Sequence, residues 1–322
     1  MNAFRHDRAR VSETREQQTT DTVFMVRPCR FQSNPLTAAS NAFQAQAPAD
    51  DLELSNAIAR SQFDRLVVTL RDVGVNCLVF EDTPEPHTPD AIFPNNWVST
   101  HADGRVALYP MEAVNRRPER RAEVIKALRR FGIQVSEAHD FSAAETASRY
   151  LEGTGSLVFD RAQGIAFACE SSRTHAELAA EVCEALGYRL VLFRASDRAG
   201  RAVYHTNVMM FVGISVALVC TESIHPEYRS EVLREIEFGG REIVEIGFDE
   251  LDGFAGNMLE LEGNDGAVIA MSQNAFDSLD VTARATLARH ARLVASDISH
   301  IEAQSGGSVR CMLAEVHLPR AP

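Results

Sequence analysis

The chain lacks any apolar run approaching the ~18 residues of a membrane span. It also lacks the apolar core of a signal peptide, because residues 1–20 are almost all polar or charged. These two absences predict a cytoplasmic protein with no membrane partner and a disordered tail over 1–20. Positive charge is in deficit: 32 Lys and Arg against 45 Asp and Glu give a formal charge of −13. Nucleic acid is therefore a poor partner, even though Arg116, Arg117, Arg120 and Arg121 cluster locally. Cysteine is sparse, with six residues and no C-x-x-C spacing, which excludes a disulfide framework in a chain of 322 residues. Five of the six lie in apolar runs and read as inert core; the sixth is Cys311. Nothing in the sequence indicates a metal or cofactor site.

What the chain does have is 45% hydrophobic residues, enough to bury a full core in one large domain or two ordinary ones, and we expect one domain over 21–322. Its strands and helices recur in a fixed order. Asn96-Trp97-Val98 opens a strand, 104–109 reads as its hairpin partner, 118–131 as a helix and 133–135 as a further strand. The same β-β-α-β order returns from Gly155, from Asn207 and from Asn257, and Cys311 opens a fifth unit where the chain ends. The steps between these markers are 59, 52, 50 and 54 residues, the signature of a repeat architecture. The strand over 22–28, the helix over 50–73 and the strand over 75–80 supply the pieces the fifth unit lacks. The pattern predicts an α/β ring of five units closed by the two termini, which removes exposed sheet edges; an open α/β sheet is the alternative.

In such a ring the strand starts meet near the axis, so Asn96, Glu152, His205, Asn207, Asn257 and Cys311 should converge on one pocket. Cys311 follows the flexible turn Gly306-Gly307, and a thiol needs a nearby base to act as a nucleophile at neutral pH. His205 stands at another strand start and suits general acid–base work. His87, His101, His139, His175, His225, His290, His300 and His317 read as surface residues. Glu152 precedes Gly153-Thr154-Gly155, but no lysine follows and a strand is expected next, so a phosphate loop is a poor reading. A carboxylate that orients His205 or grips a substrate N–H fits better.

Four stretches carry a resemblance: Phe93-Pro94-Asn95-Asn96, Glu152-Gly153-Thr154-Gly155, His205-Thr206-Asn207, and Gly306-Gly307-Ser308-Val309-Arg310-Cys311-Met312. They resemble the motifs of the guanidino-group-modifying superfamily of arginine deiminases, dimethylarginine hydrolases and amidinotransferases. The segments over 26–31 and 88–98 are most similar to its citrulline-utilisation hydrolase (CtlX-type) branch. The resemblance implies a five-bladed α/β propeller, the pentein fold, with Cys311 attacking the guanidino carbon, His205 as general acid and base, and Glu152 binding substrate. It also implies substrate-binding roles for Asp90, Asn96, Asn207 and Asn257. Arg116 falls where deiminases hold the substrate α-carboxylate, and Arg173 is a looser candidate for a second clamp.

The chain departs from deiminases at three positions. Asn96 and Asn207 replace aspartates that pair with a guanidinium, and Gly155 replaces a second acid. A carboxylate facing a neutral ureido group is a buried charge without a partner, whereas an amide offers both a donor and an acceptor. These departures favour hydrolysis of citrulline to ornithine, carbon dioxide and ammonia through a covalent thioester on Cys311. The alternative is a hydrolase or deiminase of arginine or a modified arginine, such as succinylarginine or dimethylarginine. From another class, the rival is a non-catalytic propeller serving as a binding module. The expected partner is a small amino-acid substrate, and a homo-oligomer is compatible with the sequence.

Overall fold

The computed structural model describes residues 16–44 and 49–321. Its strands form five separate three-stranded sheets, all built to one plan. In sheet one, Thr22–Arg27 is central, pairing antiparallel with Ala314–Glu315 and parallel with Asn76–Glu81. The other central strands are Arg105–Leu108, Ile165–Cys169, Val216–Cys220 and Gly266–Ser272. Each has the preceding strand antiparallel on one side and the following strand parallel on the other. The expected exchange between termini is present, with Val23 opposite Glu315 and Phe24 opposite Ala314.

The plan follows from local chemistry. Hairpins join the first two strands of four sheets, and Gly104 and Gly266 turn two of them at φ of +90° and +116°, where a side chain is strained. A parallel third strand needs a crossover, and helices supply it. Leu52–Asp72 starts at Asp51, whose carboxylate accepts from the Leu54 N–H at 2.9 Å, a cap worth about 1 kcal/mol. It buries Ala59, Phe63, Leu66 and Leu70. Ala176–Leu186 ends at Gly187 in the left-handed region, φ +82°. The central strands Ile165–Cys169 and Val216–Cys220 are buried along their whole length. No helix among the described residues is long and apolar enough to cross a membrane.

Several expectations need correction. The strand expected over 133–135 forms instead at Glu137–Asp140, leaving Ile133 in an isolated bridge to Arg320. The helix expected over 118–131 is divided into a 3-10 turn at Val114–Glu119, a helix at Ala122–Leu128 and another turn at Arg129–Phe131. More important for the site, none of the five markers opens a strand: Asn257 lies in irregular chain two residues before the strand Leu259–Gly263, and the other four lie in helical turns. Asn96 lies in the turn Pro94–Asn96, Gly155 in Gly153–Ser156, Asn207 in Thr206–Met209 and Cys311 in Val309–Met312. In each of these four the strand begins two or three residues later, so one helical turn precedes it.

The tail expected over 1–20 lies partly outside the described residues. From Glu16 onward the expectation is corrected. The Gln18 amide donates to the carbonyls of Phe159 (3.0 Å) and Val212 (2.9 Å) and accepts from the Arg161 N–H (2.8 Å). Glu16 accepts from Arg161 Nη1 at 2.8 Å and from the Tyr188 hydroxyl at 2.6 Å. Polar residues are thus held in place by partners that composition does not reveal. His101 and His317 are likewise not on the surface: His101 is fully buried between the rings of Phe159 and Tyr188, and His317 bonds Glu315.

Candidate active site

The helical turns deliver the marker residues to one place. Asp90, Asn96, Arg116, Arg173, His205 and Cys311 line a single cavity, joined by Phe93, Tyr204, Gly307, Thr37 and Asn41. Asn207 and Asn257 lie against the thiol: their Nδ2 groups are 3.4 and 3.3 Å from Cys311 Sγ. Asn257 Nδ2 also donates to the Asn207 carbonyl at 2.9 Å, which fixes one amide on the other. Two N–H donors converging on sulfur are placed to stabilise negative charge there.

The imidazole and carboxylate form a buried pair, with His205 Nε2 at 2.9 Å from Glu152 Oε2. All nine residues singled out from the sequence are therefore brought together. Burial pushes His205 down to about 4, against the pull of Glu152. Burial would raise Glu152, but Arg173, His205 and Arg116 outweigh it and hold the carboxyl well below the usual range. An ionised Glu152 beside a neutral ring places the ring proton on Nε2 and leaves Nδ1 as the basic nitrogen. Glu152 Oε1 accepts from the Glu112 N–H at 3.1 Å, so the carboxylate itself is oriented.

Glycines make room for this arrangement. A Cβ on Gly155 would lie 2.5 Å from Asn96 Nδ2 and 2.8 Å from His205 Nδ1. Gly155→Ala is therefore expected to displace both groups and lower kcat by roughly 10²-fold or more, given how steeply rate depends on ~1 Å misplacements. Steady-state kinetics beside a thermal melt checks this; near-wild-type kcat would show that neither group needs its present position. Gly307 is constrained similarly, since a Cβ there would meet the Phe93 ring at 2.7 Å.

The sequence reading missed the segment 33–44, which covers the cavity. Asn34 donates to Asp90 Oδ2 at 2.7 Å, Asn41 donates to the Ser305 carbonyl at 3.0 Å, and Arg173 donates to Thr37 O and Ser40 Oγ at 3.2 and 2.8 Å. Arg173 also lies 5.0 Å over the Tyr204 ring, whose hydroxyl donates to Gly306 O at 2.6 Å. No motif marks this segment. Glu119 was missed as well, although its spacing of three residues from Arg116 was a usable signal. Its carboxylate holds Arg116 Nε and Nη2 at 3.0 and 2.9 Å. Among the described residues no group of three or more His, Cys, Asp or Glu could hold a metal ion.

Fold and family define a C–N hydrolase of the guanidino-group-modifying superfamily. Within it, the chain belongs to the family described as N,N dimethylarginine dimethylhydrolase, eukaryotic, whose model matches residues 27–318. That match does not single out the citrulline-utilisation branch suggested by the motifs. No curated protein matches the chain. Among solved structures, it is similar to the product-bound N-terminal domain of ArgZ, an arginine dihydrolase from the ornithine–ammonia cycle in cyanobacteria. There the identity is 18%, the match covers 94% of this chain and 99% of the other, and the TM-score is 0.71. A dimethylarginine dimethylaminohydrolase variant, solved as an adduct with S-methyl-L-thiocitrulline, matches at 18% identity over 92% of this chain and 99% of the other, with a TM-score of 0.62. At these identities the likeness is one of fold.

Proposed function

We propose that this chain hydrolyses C–N bonds at the guanidino carbon of an arginine-type amino acid. The observation that carries the reading is a thiol held by two amide N–H groups in the cavity that also holds the His205–Glu152 pair. His205 takes the Cys311 proton, and Sγ attacks the guanidino carbon to give a tetrahedral adduct. The leaving nitrogen departs as ammonia or an amine with the proton from His205. Water, deprotonated by the same ring, then adds to the thiouronium carbon and expels the thiolate, leaving a ureido product. Repeating the cycle on that product would yield ornithine, carbon dioxide and ammonia. Asp90 is the carboxylate that lines the cavity and could meet a guanidinium, while Glu152 is paired to His205. Arg173, which lines the cavity, is the cation placed to meet an α-carboxylate there.

Hydrolysis of citrulline alone is a second reading, favoured because amides rather than carboxylates surround the sulfur. Assaying ammonia, methylamines, citrulline and ornithine from arginine, dimethylarginine and citrulline separates the two. Release of none of these from any of the three overturns both. The double variant Asn96→Asp, Asn207→Asp is expected to lose citrulline hydrolysis by about ten- to a hundredfold per site, with arginine affected less. Equal losses on both substrates would show that the amides do not discriminate charge.

We also read the five sheets as blades of one closed ring and 21–322 as one catalytic domain. The pairing of the terminal strands supports this, as do the hydrogen bonds of Gln18 to two further sheets.

A further inference from the structure

Arg116 stands where the resemblance puts a clamp for the substrate α-carboxylate, yet its guanidinium is engaged inside the protein. It is 2% exposed. Its Nε and Nη2 form a two-pronged pair with Glu119 at 3.0 and 2.9 Å, and its Nη1 donates to Asn96 Oδ1 at 3.0 Å. Asp90 and Glu152 carboxylate oxygens lie 3.6 Å away. A guanidinium is planar, always charged, and has donors only. Fixing two of its nitrogens on one carboxylate sets the plane and the direction in which Nη1 points.

The consequence falls on Asn96. An arginine can meet only the oxygen end of an amide, so Asn96 Oδ1 must face Arg116 and Nδ2 must face away. A flip would put N–H donors against N–H donors in a buried place. The freed Nδ2 is buried and has no hydrogen-bond partner among the described residues. It lies at the position bared by Gly155, beside His205, on the wall of the cavity. We propose that the Arg116–Glu119 pair is a positioning device that locks Asn96 as a hydrogen-bond donor, so that the site selects an acceptor atom on the reacting carbon. That acceptor is the oxygen of a ureido group, which names the substrate or intermediate class of the proposed hydrolysis and rests on that reading. The same lock explains why Glu119 is buried (2% exposed) and why Arg116 is not left free for a carboxylate.

A double-mutant cycle tests the proposal. Glu119→Gln keeps the shape of the side chain but breaks the fork, and Arg116→Lys keeps the charge but cannot hold two partners and the amide together. Each is expected to lower kcat on citrulline about tenfold or more with KM little changed, because the lost contact matters most at the reacting carbon. Introduced into Asn96→Ala, Glu119→Gln should have almost no further effect on kcat, since the residue it acts through is gone. If the Glu119→Gln loss is the same in both backgrounds, its role is structural and the proposal fails. If Arg116→Lys raises KM and leaves kcat unchanged, Arg116 is a carboxylate clamp and the proposal also fails. Should Glu119→Gln not fold, Arg116→Lys combined with Asn96→Ala completes the same cycle. A wild-type protein that turns over no ureido compound overturns the proposed function and this inference with it, whereas the other outcomes touch only the inference.

Discussion

Cys311→Ala is expected to reduce turnover of guanidino and ureido substrates by on the order of 10³-fold or more, as losses of nucleophiles do. The fold should survive. The thiol sits in a turn, Val309–Met312, whose neighbours Val309, Met312 and Leu313 are buried, and alanine fits that packing. One cost remains at the two amides. Asn207 Nδ2 loses its sulfur acceptor, whereas Asn257 Nδ2 keeps the Asn207 carbonyl at 2.9 Å. One unpaired buried donor costs roughly 1–3 kcal/mol, which lowers the melting temperature without abolishing the native state.

Thiol labelling gives an independent measure. Burial pushes Cys77 up to about 11 and Cys169 and Cys183 up to about 12, and raises Cys220 as well, so these four should react slowly at neutral pH. Cys29 is half-buried and is the competing site. With iodoacetamide followed by peptide mass analysis, Cys311 should be modified ahead of Cys29, and a bound substrate should protect Cys311 alone. A Cys311→Ala protein with wild-type activity would remove the covalent mechanism.

The repeat was legible because period is a property of burial: each unit must bring its apolar strands into a buried cluster, and the markers fell at intervals that counted them. What burial does not encode is backbone conformation. Val208 and Met209 are fully or nearly fully buried whether the chain there is helical or extended, so an apolar run from Asn207 read as a strand although Thr206–Met209 is a helical turn. The convergence of Asn96, Glu152, His205, Asn207, Asn257 and Cys311 survived that error, because turn and strand start occupy the same end of each sheet. Arg116 lines the cavity, and its guanidinium is engaged by protein partners that the sequence reading did not assign to it. Its sequence position shows a charge and a possible partner three residues on, in Glu119, but only the fold shows that Asn96, Asp90 and Glu152 surround it as well. Segment 33–44 and residues 16–20 were illegible for the same reason: their order comes from hydrogen bonds to distant chain segments.

The second large effect is expected at Glu152, where rate and pH dependence should change together. In the native protein burial holds His205 at about 4, so the ring is neutral throughout the neutral range, as the base proposed for Cys311 must be. The acid limb of kcat/KM should therefore fall near pH 4, where protonation removes the base. Glu152 raises His205, while burial, Arg173 and Arg116 lower it. Glu152→Gln keeps the side-chain volume and removes the only raising influence among these. The sign follows: His205 drops further, and the acid limb moves to lower pH rather than higher. The rate should nevertheless fall by roughly 10²–10⁴, because the amide no longer fixes the proton on Nε2 or stabilises the imidazolium that forms during attack. A glutamine that turns its N–H₂ toward Nε2 would even favour the opposite tautomer, with the proton on Nδ1. A pH–rate profile of both proteins, with a melt to confirm folding, decides the matter. An acid limb that shifts upward, or a Glu152→Gln protein with unchanged kcat/KM, would mean that the His205–Glu152 pair is not the base that serves Cys311.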